Sequence, residues 1–508
     1  MAKDYAIEFL NISKKFGNFY ANKNINIKIR KGTIHALIGE NGAGKSTLMS
    51  ILFGLYNPTE GKIRVNNHDI FVKNPNQANA LGIGMVHQHF KLVKSYTNLE
   101  NIVLGSEFEK NHFLDLKLAK TKIELIQNKY NLKFDLNQKT SNTTVGTQQK
   151  VEIIKMLYRD ADILIFDEPT AVLNPQEIEG LLETMKIFRD NNKTIIFISH
   201  KLNEIKAICD EATVIRKGEV VAHFDNLENV DTSELSRAMV GEKIVMPKNQ
   251  NDNIINEVAV EFQNVFAKGN KSVEDVSFTI NKGEILAIAG IEGNGQEEIE
   301  FLASGLLKPT KGKILLTKDE QIIDISRFSV EKKKNQKISY IPGDRHKYGL
   351  VLDFKVNENS ILRRLNDPHI QKKSILSNKN IESFYKNIEE NYDVRGARGG
   401  KAIARSLSGG NQQKLIVGRE ILTEHDFIII VQPTRGLDVK AIQNIHNKIL
   451  EQKSKGKAIL LISYELDEVF ALADNIMVIN KGKLSPKTPA QNITRNEIGL
   501  LMGGIQNE

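Results

Sequence analysis

The chain has 508 residues, roughly three times the length of a common single domain, so at least two domains are expected. Hydrophobic residues make up 40% of it and charged residues 26%, which is typical of a folded globular protein and excludes a disordered or fibrous one. The 70 Lys and Arg against 62 Asp and Glu give a net charge of +8, which suits an acidic partner (nucleic acid or an anionic membrane face) or simply a surface coated with lysine.

No segment of the sequence predicts passage across a membrane. The longest apolar runs, such as Phe427–Val431, have five or six residues, whereas a membrane-spanning helix needs about 20. Lys3, Asp4 and Glu8 place charges where a secretion signal would be apolar. The single cysteine, Cys209, excludes a disulfide framework, and its apolar helical surroundings predict a buried thiol. We therefore expect a cytosolic chain whose contact with a membrane is peripheral.

The two halves of the sequence repeat each other. Residues 31–44 recur at 282–295 and residues 58–63 at 309–314, both displaced by 251 positions. Further on, 169–170 recurs at 433–434 and 198–199 at 462–463, displaced by 264 positions, which predicts loop insertions, chiefly in the lysine-rich stretch 331–337. We predict two copies of one domain, residues 1–243 and 257–508, joined by a polar linker over 244–256.

In each copy, short apolar runs alternate with helical patterns. In the first copy, Ile34–Ile38 is a predicted strand, followed by a glycine-rich loop and a helix over 46–55. Residues 163–166 and 194–198 are similar apolar runs, and 98–159 has the pattern of a helical subdomain. Such alternation favours an α/β fold with a largely parallel sheet.

Residues 39–46 form a motif with a chemical meaning: two glycines with four residues between them, then Lys and Ser. The glycines let backbone N–H groups curl round an anion, and the helix that follows adds the positive end of its dipole. Lys45 supplies a charge to the β- and γ-phosphates, and Ser46 a hydroxyl ligand for Mg²⁺. The motif predicts nucleotide binding by the following residues: Gly39, Glu40, Asn41, Gly42, Ala43, Gly44, Lys45, Ser46 and Thr47.

The predicted strand 163–166 ends in two carboxylates, Asp167 and Glu168. Asp167 is predicted to hold Mg²⁺, directly or through water, and Glu168 to activate the attacking water as general base. Two solvated acids at a strand end are the alternative, which the phosphate loop 122 residues upstream disfavours. His200 follows another predicted strand and could contact the γ-phosphate, although a lone histidine is more often structural.

The segment Leu407-Ser408-Gly409-Gly410-Asn411-Gln412-Gln413-Lys414 resembles the signature motif of ATP-binding cassette proteins. With the phosphate loop, a glutamine loop, the acidic strand and His200 in the family's order, the chain is similar to proteins with two such cassettes over about residues 5 to 505. The resemblance implies two tandem phosphate-loop domains, each with a mainly parallel sheet core, an antiparallel β part and a helical subdomain.

The resemblance also implies roles for single residues. Gln88 is similar to the glutamine that meets Mg²⁺ and faces the permease, His200 to the switch histidine, and Phe16 to the aromatic that stacks on adenine. A core phenylalanine is the alternative for Phe16. In this family each ATP lies between one phosphate loop and the signature of the other cassette, here Ser408, Gly409, Gly410 and Asn411.

The two copies are not equivalent. In the second copy the catalytic positions are replaced: Gln296 for Lys45, Glu297 for Ser46, Val431 for Asp167, Gln432 for Glu168, Tyr464 for His200 and Gly343 for Gln88. The signature is intact there, whereas the first copy has Val145 at a position that usually needs glycine. We therefore predict one working ATP site, built from the first phosphate loop and the second signature.

Tandem cassettes without membrane spans resemble the energy-coupling ATPases of importers. Residues 84–90, 342–353 and 432–438 are similar to the simple-sugar and nucleoside importers, and the forms His-Gln-His-Phe at 87–90 and Gln-Pro-Thr-Arg at 432–435 are closer to the nucleoside branch than to the ribose or galactose branch. The resemblance implies two permease subunits and an extracellular substrate-binding protein as partners, no nucleic acid, and a peripheral position at the cytoplasmic face of the membrane. Segments 89–101 and 344–359 are predicted to form two grooves for permease helices, with ordinary connecting loops as the alternative.

Two other classes of protein compete with this interpretation. A tandem-cassette factor acting on ribosomes would suit the basic charge. Such factors, however, resemble proteins with two intact ATP sites and a long charged helical linker, whereas this sequence has one degenerate site and a short linker. A regulatory nucleotide-binding module without turnover is disfavoured by Glu168 and His200.

Overall fold

The chain forms two compact units, Met1–Ile244 and Val245–Glu508. The structure is a computed structural model and describes residues 4–40, 42–86, 91–107, 109–110, 113–170, 173, 175–199, 201–241, 246–250, 254–373 and 375–503. In these parts of the chain, no helix combines the length and the apolar character needed to cross a bilayer. Asn249, inside the predicted linker, donates from Nδ2 to the carbonyl of Leu472 at 2.8 Å, within the second unit. The linker bounds of 244–256 stay a prediction.

The first unit contains an antiparallel sheet, a mainly parallel sheet and a set of helices. Its strands are β1 (Tyr5–Phe16), β2 (Phe19–Arg30), β3 (Ile34–Ile38), β4 (Glu60–Val65), β5 (His68–Ile70), β6 (Ile83–Val86), β7 (Glu109–Lys110), β8 (Phe113–Leu114), β9 (Ile163–Asp167), β10 (Thr194–Ile198), β11 (Glu211–Arg216) and β12 (Glu219–Phe224). Its helices are α1 (Lys45–Leu52), α2 (Pro75–Ala80), α3 (Asn98–Val103), α4 (Leu116–Lys129), α5 (Val145–Tyr158), α6 (Pro175–Asp190), α7 (Leu202–Ile208) and α8 (Thr232–Val240), with a 3-10 turn at Thr140–Asn142.

The strand order confirms the predicted α/β class in this unit. The main sheet runs β12-β11-β3-β10-β9-β6, parallel except for β12, and the second sheet runs β2-β1-β4-β5, antiparallel throughout. Both strands predicted at 34–38 and 194–198 form, and the one predicted at 163–166 continues to Asp167. Helix α1 ends at Leu52 rather than at residue 55, because Gly54 turns the chain with a φ of 77°.

The second unit repeats this architecture. Its strands are β13 (Ile255–Lys268), β14 (Ser272–Lys282), β15 (Ile285–Ala289), β16 (Lys311–Lys318), β17 (Gln321–Asp324), β18 (Ile338–Ile341), β19 (Gln371–Lys372), β20 (Ile375–Leu376), β21 (Phe427–Val431), β22 (Ala458–Ser463), β23 (Asn475–Asn480), β24 (Lys483–Leu484) and β25 (Thr488–Pro489). Its helices are α9 (Gln296–Ser304), α10 (Val330–Asn335), α11 (Val356–Ser360), α12 (Asn378–Tyr392), α13 (Gly409–Leu422), α14 (Val439–Ser454), α15 (Leu466–Leu472) and α16 (Arg495–Gly503), with a π-helical turn at Arg345–Gly349 and 3-10 turns at Ala404–Ser406 and Ala490–Asn492.

The sheets of the second unit follow the same order as those of the first. The main sheet runs β18-β21-β22-β15-β23-β24, and the antiparallel sheet runs β14-β13-β16-β17. The predicted insertion at 331–337 is wrong, since this stretch forms α10, which has six residues like α2. Extra residues lie instead in the longer hairpin β16–β17, in the turn Arg345–Gly349 and between Lys355 and Ile403, a span longer than the matching one from Thr97 to Lys139.

The core of each unit lies on both faces of its central strand. All five residues of β3 and all five of β15 are buried. One face packs against the antiparallel sheet and the helix that follows the phosphate loop, α1 or α9. Cys209 is buried, which confirms the prediction of a buried thiol. Burial raises the pKa of this thiol.

Candidate active site

The predicted phosphate loop lies between the carboxyl end of β3 and the first turn of α1. Gly44 has a φ of 106°, and a Cβ there would lie 2.3 Å from the carbonyl oxygen of Ala21, so only glycine fits. The carbonyl of Gly44 accepts a hydrogen bond from Nδ2 of the buried Asn22 at 3.1 Å. No side chain of the described residues caps α1, which leaves its first N–H groups for an anion.

Lys45 is buried inside this loop. Its Nζ donates to the carbonyls of Gly39 at 2.6 Å and Glu40 at 2.9 Å. Burial lowers the pKa of Lys45, while the nearby carboxylates of Glu168, Asp167 and Glu40 act in the opposite direction. An ammonium group has three donors, so the two carbonyls leave one for a phosphate oxygen.

Asp167 ends β9 beside the start of α1. The hydroxyl of Ser46 hydrogen-bonds to its carboxylate. Burial raises the pKa of Asp167 and the charge of Glu168 raises it further, whereas the Ser46 hydroxyl and the Lys45 ammonium lower it. A hydroxyl and a carboxylate side by side form the hard-oxygen ligand pair that suits Mg²⁺.

Glu168 follows Asp167 in a rarely used backbone conformation. Its φ is 47°, in the left-handed region, and its N–H donates to the carbonyl of Ile198 at 3.0 Å. Such a residue costs about 1–2 kcal/mol, and strain of this kind tends to cluster at functional sites. The turn that follows is fixed by Gln149, whose Nε2 donates to the carbonyl of Pro169 at 2.8 Å.

Sequence reasoning missed a buried acid that joins the ends of two central strands. Glu204 accepts hydrogen bonds from Thr170 at 2.9 Å and from Ser199 at 3.1 Å. The repeat carried a signal for this group, because Thr434 and Glu468 are the matching residues and form the same bond at 2.7 Å. The group connects the turn after β9 to Ser199, directly after β10.

Other predicted site residues fall into two groups. Asn41, Gln88 and His200 lie outside the described residues, so their roles stay predictions. Phe16 is 44% exposed at the end of β1 and contacts the ring of Tyr56 edge-on at 5.4 Å. The alternative of a core phenylalanine is therefore wrong, and the ring is accessible to a ligand.

In the second phosphate loop, the side chain of Gln296 forms hydrogen bonds with the backbone of the loop. Gln296, at the position of Lys45, is buried and donates to the carbonyl of Ile291 at 2.8 Å. Its Oε1 accepts from the N–H of Asn294 at 3.0 Å, which occupies a backbone donor of the loop. Glu297 and the buried Glu298 add acidic groups to the first turn of α9. This loop lacks the lysine cation of the first loop, and Gln296 already occupies one of its amides.

The acidic strand of the second unit has lost its carboxylates but kept its turn. Gln432 has a φ of 49°, and its N–H donates to the carbonyl of Ile462 at 2.9 Å. Its Nε2 is buried without a hydrogen-bond partner among the described residues. At the position expected for the glutamine loop, the N–H of Gly343 donates to the buried Glu300 at 3.1 Å.

The signature of the second unit begins helix α13. The Ser408 hydroxyl caps this helix by accepting from the N–H of Asn411 at 3.4 Å and from its Nδ2 at 2.9 Å. In the first unit, Thr144 caps α5 in the same way, and the exposed Val145 occupies the first helical position. The two helices therefore share a cap and differ in the residue that follows it.

The site thus combines a phosphate loop that contains a lysine, an acidic strand end and a capped signature helix. This combination defines the class of ATP-binding cassette proteins. The chain belongs to the ABC transporter family, whose sequence profile matches residues 22–171 and 273–435.

Among curated proteins, the chain is similar to the nucleoside import ATP-binding protein NupA of Lactococcus lactis, at 44% identity over all of both chains. It is also 44% identical to the guanosine import ATP-binding protein NupO of Bacillus subtilis, over 99% of this chain and 98% of that protein. The ribose import ATP-binding protein RbsA of Caldanaerobacter subterraneus is 35% identical over 97% of this chain and 98% of its own length.

Among solved structures, the RNase-L inhibitor aligns with a TM-score of 0.65 and 19% identity, over 97% of this chain and 93% of that one. At that identity the likeness concerns the fold alone. It agrees with the predicted pair of cassettes and carries no argument about ribosomes.

Proposed function

We propose that this chain is the ATP-hydrolysing, energy-coupling subunit of an importer of nucleosides and that it has one competent ATP site. The observation that carries the proposal is the group formed by Lys45, Ser46 and Asp167 in the first unit. At the matching positions the second unit has Gln296, Glu297 and Val431, which together provide neither the cation nor the hydroxyl–carboxylate pair of the first unit. A chain of this kind works on two permease subunits at the cytoplasmic face of the membrane, with a substrate-binding protein outside.

In the proposed site, the loop amides and Lys45 bind the phosphates, and Phe16 stacks on adenine. Ser46 and Asp167 would hold Mg²⁺ together with Gln88, and the ion would neutralise charge on the phosphate oxygens. Glu168 accepts the proton of the attacking water, and His200 contacts the γ-phosphate. Ser408, Gly409, Gly410 and Asn411 contact the same nucleotide, as the family resemblance implies.

The cargo is the finer part of the proposal. The relatives named for nucleosides and guanosine are 44% identical to this chain, against 35% for the ribose relative. The sequence forms at 87–90 and 432–435 support the same branch. Uptake of labelled nucleosides and labelled ribose should be compared in cells that carry the intact system. Nucleoside uptake that is lost in Lys45→Ala is expected. Uptake of ribose without nucleosides would overturn the cargo, and uptake that survives Lys45→Ala would overturn the ATPase role.

The docking surfaces for the permease are proposed at the two predicted grooves. In each segment, the side-chain amide of an asparagine bonds to the backbone of a valine eight residues earlier. Asn101 forms two hydrogen bonds with Val93, at 2.7 and 3.0 Å. Asn359 forms two with Val351, both at 2.9 Å. These rigid loops expose apolar side chains, since Val93 is 37% and Val351 39% exposed. They suit the apolar face of a short cytoplasmic permease helix.

Single cysteines at Val93 and Val351 test this surface. Both should cross-link to permease subunits in membranes. The matched controls are Val221→Cys and Val258→Cys, which have similar exposure but lie outside both segments and should not cross-link. Labelling of the controls alone, or of no position, would contradict the docking proposal.

A further inference from the structure

In the second unit, the proposed docking segment 344–359 is attached to the signature helix α13 through buried contacts. Arg419 of α13 is fully buried, and its Nη1 donates to the carbonyls of Gly349 at 3.0 Å and Asn359 at 3.1 Å. One turn from the start of the helix, Oε1 of Gln412 accepts a hydrogen bond from Nε2 of His346 at 3.0 Å. Both contacts hold the segment against one side of the helix.

Backbone hydrogen bonds extend this attachment to the chain that leads into the signature. The N–H of Ala404 donates to the carbonyl of Phe354 and the N–H of Arg405 to the carbonyl of Leu352, both at 2.9 Å. Only one residue, Ser406, separates Arg405 from Leu407, where the signature begins. A displacement of the docking segment is therefore passed directly to the start of α13, because buried hydrogen bonds and packed contacts resist independent movement.

One side chain reaches the signature itself. The guanidinium of the half-buried Arg345 covers Gly409, so that a Cβ on Gly409 would lie 2.6 Å from its Nη2. Within the described chain, no acceptor forms a hydrogen bond with this guanidinium. Burial lowers the pKa of Arg345, Arg435 brings a second positive charge that lowers it further, and the carboxylate of Asp344 offsets this only in part. Burying a cation beside another cation is unfavourable, and a position that keeps such an arrangement is a candidate for a functional role.

The outer side of the same segment is apolar and exposed. Phe354 is 49% exposed and Val351 is 39% exposed, a few residues from Arg345. The segment thus joins a proposed docking surface to the first residue of the signature helix.

We propose that Arg345 is a positioning residue that transmits permease docking at segment 344–359 to the signature of the second unit, by setting the orientation of Gly409 and Ser408. The inference rests on the proposed function. It deepens that function by naming the contact through which a loaded permease accelerates ATP turnover. Arg345 does not take part in the chemical step.

The test uses the intact transporter in proteoliposomes and measures ATP turnover with and without the substrate-loaded binding protein. The readout is the ratio of stimulated to basal turnover, because partial unfolding lowers both rates equally and leaves the ratio unchanged. Arg345→Ala should reduce the stimulation by about tenfold or more, as expected for a misplaced contact group. Arg345→Lys keeps the long chain without the planar group and should give an intermediate ratio.

The matched control is Arg495→Ala, which removes a guanidinium that pairs with the exposed Asp467 of α15, outside both segment 344–359 and the signature. It should keep the wild-type ratio. Wild-type stimulation in Arg345→Ala, or an equal loss in both variants, would overturn the inference. If Arg345→Ala does not fold, Arg345→Lys is judged by the same ratio. Lys45→Ala in the same membranes separates the two proposals, since turnover that survives it refutes the ATPase role, whereas its loss beside a normal Arg345→Ala refutes only the positioning role.

Discussion

The ends of the acidic strands in the two units have the same backbone and different chemistry. Glu168 and Gln432 share a left-handed φ of 47° and 49°, and their N–H groups donate to matching carbonyls at 3.0 and 2.9 Å. One unit places a carboxylate on this turn and the other a neutral amide. The turn is thus maintained without its catalytic group, because neighbouring strands and buried hydrogen bonds determine its geometry.

The two phosphate loops show the same relation. Lys45 donates to the carbonyl of Glu40 at 2.9 Å, and Gln296 donates to the matching carbonyl of Ile291 at 2.8 Å. The amide of Gln296 also accepts a backbone hydrogen bond, which an ammonium group cannot do. Gln296 therefore binds its own loop on both sides, and the two loops differ in a few side chains rather than in their backbone.

The largest loss of ATP turnover is expected from changes in the first unit. Lys45→Ala or Glu168→Gln should lower ATP turnover by about 10²–10⁴, roughly 3–5 kcal/mol of barrier, because each removes a charge or a base at the γ-phosphate. Steady-state phosphate release measures this. Gln432→Ala is the control and should stay within a few-fold of wild type. If Gln432→Ala abolished turnover while Glu168→Gln did not, the single-site assignment would be wrong.

A second comparison concerns the signatures. Ser408→Arg should reduce turnover by about 10²–10³, since it replaces the cap of α13 with bulk where the nucleotide is proposed to bind. Thr144→Arg makes the same change at the cap of α5 and should be mild. Gly146→Asp is a less suitable control, because a Cβ there would lie 2.3 Å from Oε1 of Glu177 and the change would disturb packing as well. Equal loss in both arginine variants would contradict the asymmetry.

A smaller effect is expected in the second phosphate loop. Gln296→Ala should leave turnover within a few-fold and lower the free energy of unfolding by about 1–2 kcal/mol, because it removes two partly buried hydrogen bonds. Urea denaturation and isothermal titration of Mg-ATP measure the two parts. One tight nucleotide per chain is expected in both proteins, and a second tight site in wild type would refute the single-site assignment.

The smallest effect depends on pH. Buried Lys333 in α10 donates to the carbonyls of Leu302 at 2.6 Å and Ala303 at 3.1 Å, and burial lowers its pKa from 10.5 to about 7. The unfolded chain then binds more protons than the folded chain between pH 7 and 10, so this group's contribution to stability rises with pH in that window. Wild type should gain in unfolding free energy relative to Lys333→Met between pH 7 and 9. Parallel profiles would show that Lys333 stays charged.

Much of the fold can be predicted from the sequence, because the internal repeat and the apolar runs of the buried strands are recognisable in it. The runs at 34–38 and 194–198 form strands as predicted, since continuous apolar residues suit a sheet covered on both faces. Spacing alone cannot locate an insertion, however, and extra residues proved to lie in the hairpin β16–β17 and in the turn Arg345–Gly349, but not at 331–337.

The site was partly predictable. Lys45, Ser46 and Asp167 meet as the motifs predict, because a strand end and a helix start fix them. Two features had no signal in the motif: Gln296 fills its own loop, and Arg345 covers Gly409. Both depend on side-chain conformation across a turn, which neither spacing nor residue type specifies.

The burial of Cys209 has a practical consequence for every experiment that places a probe on this chain. It is the single sulfhydryl of the sequence, it is shielded from solvent, and its raised pKa keeps it in the unreactive protonated form. Maleimide dyes or spin labels can therefore be attached to introduced cysteines in the wild-type background, without a cysteine-free variant. Pairs of such labels would report distances between the two cassettes through the transport cycle.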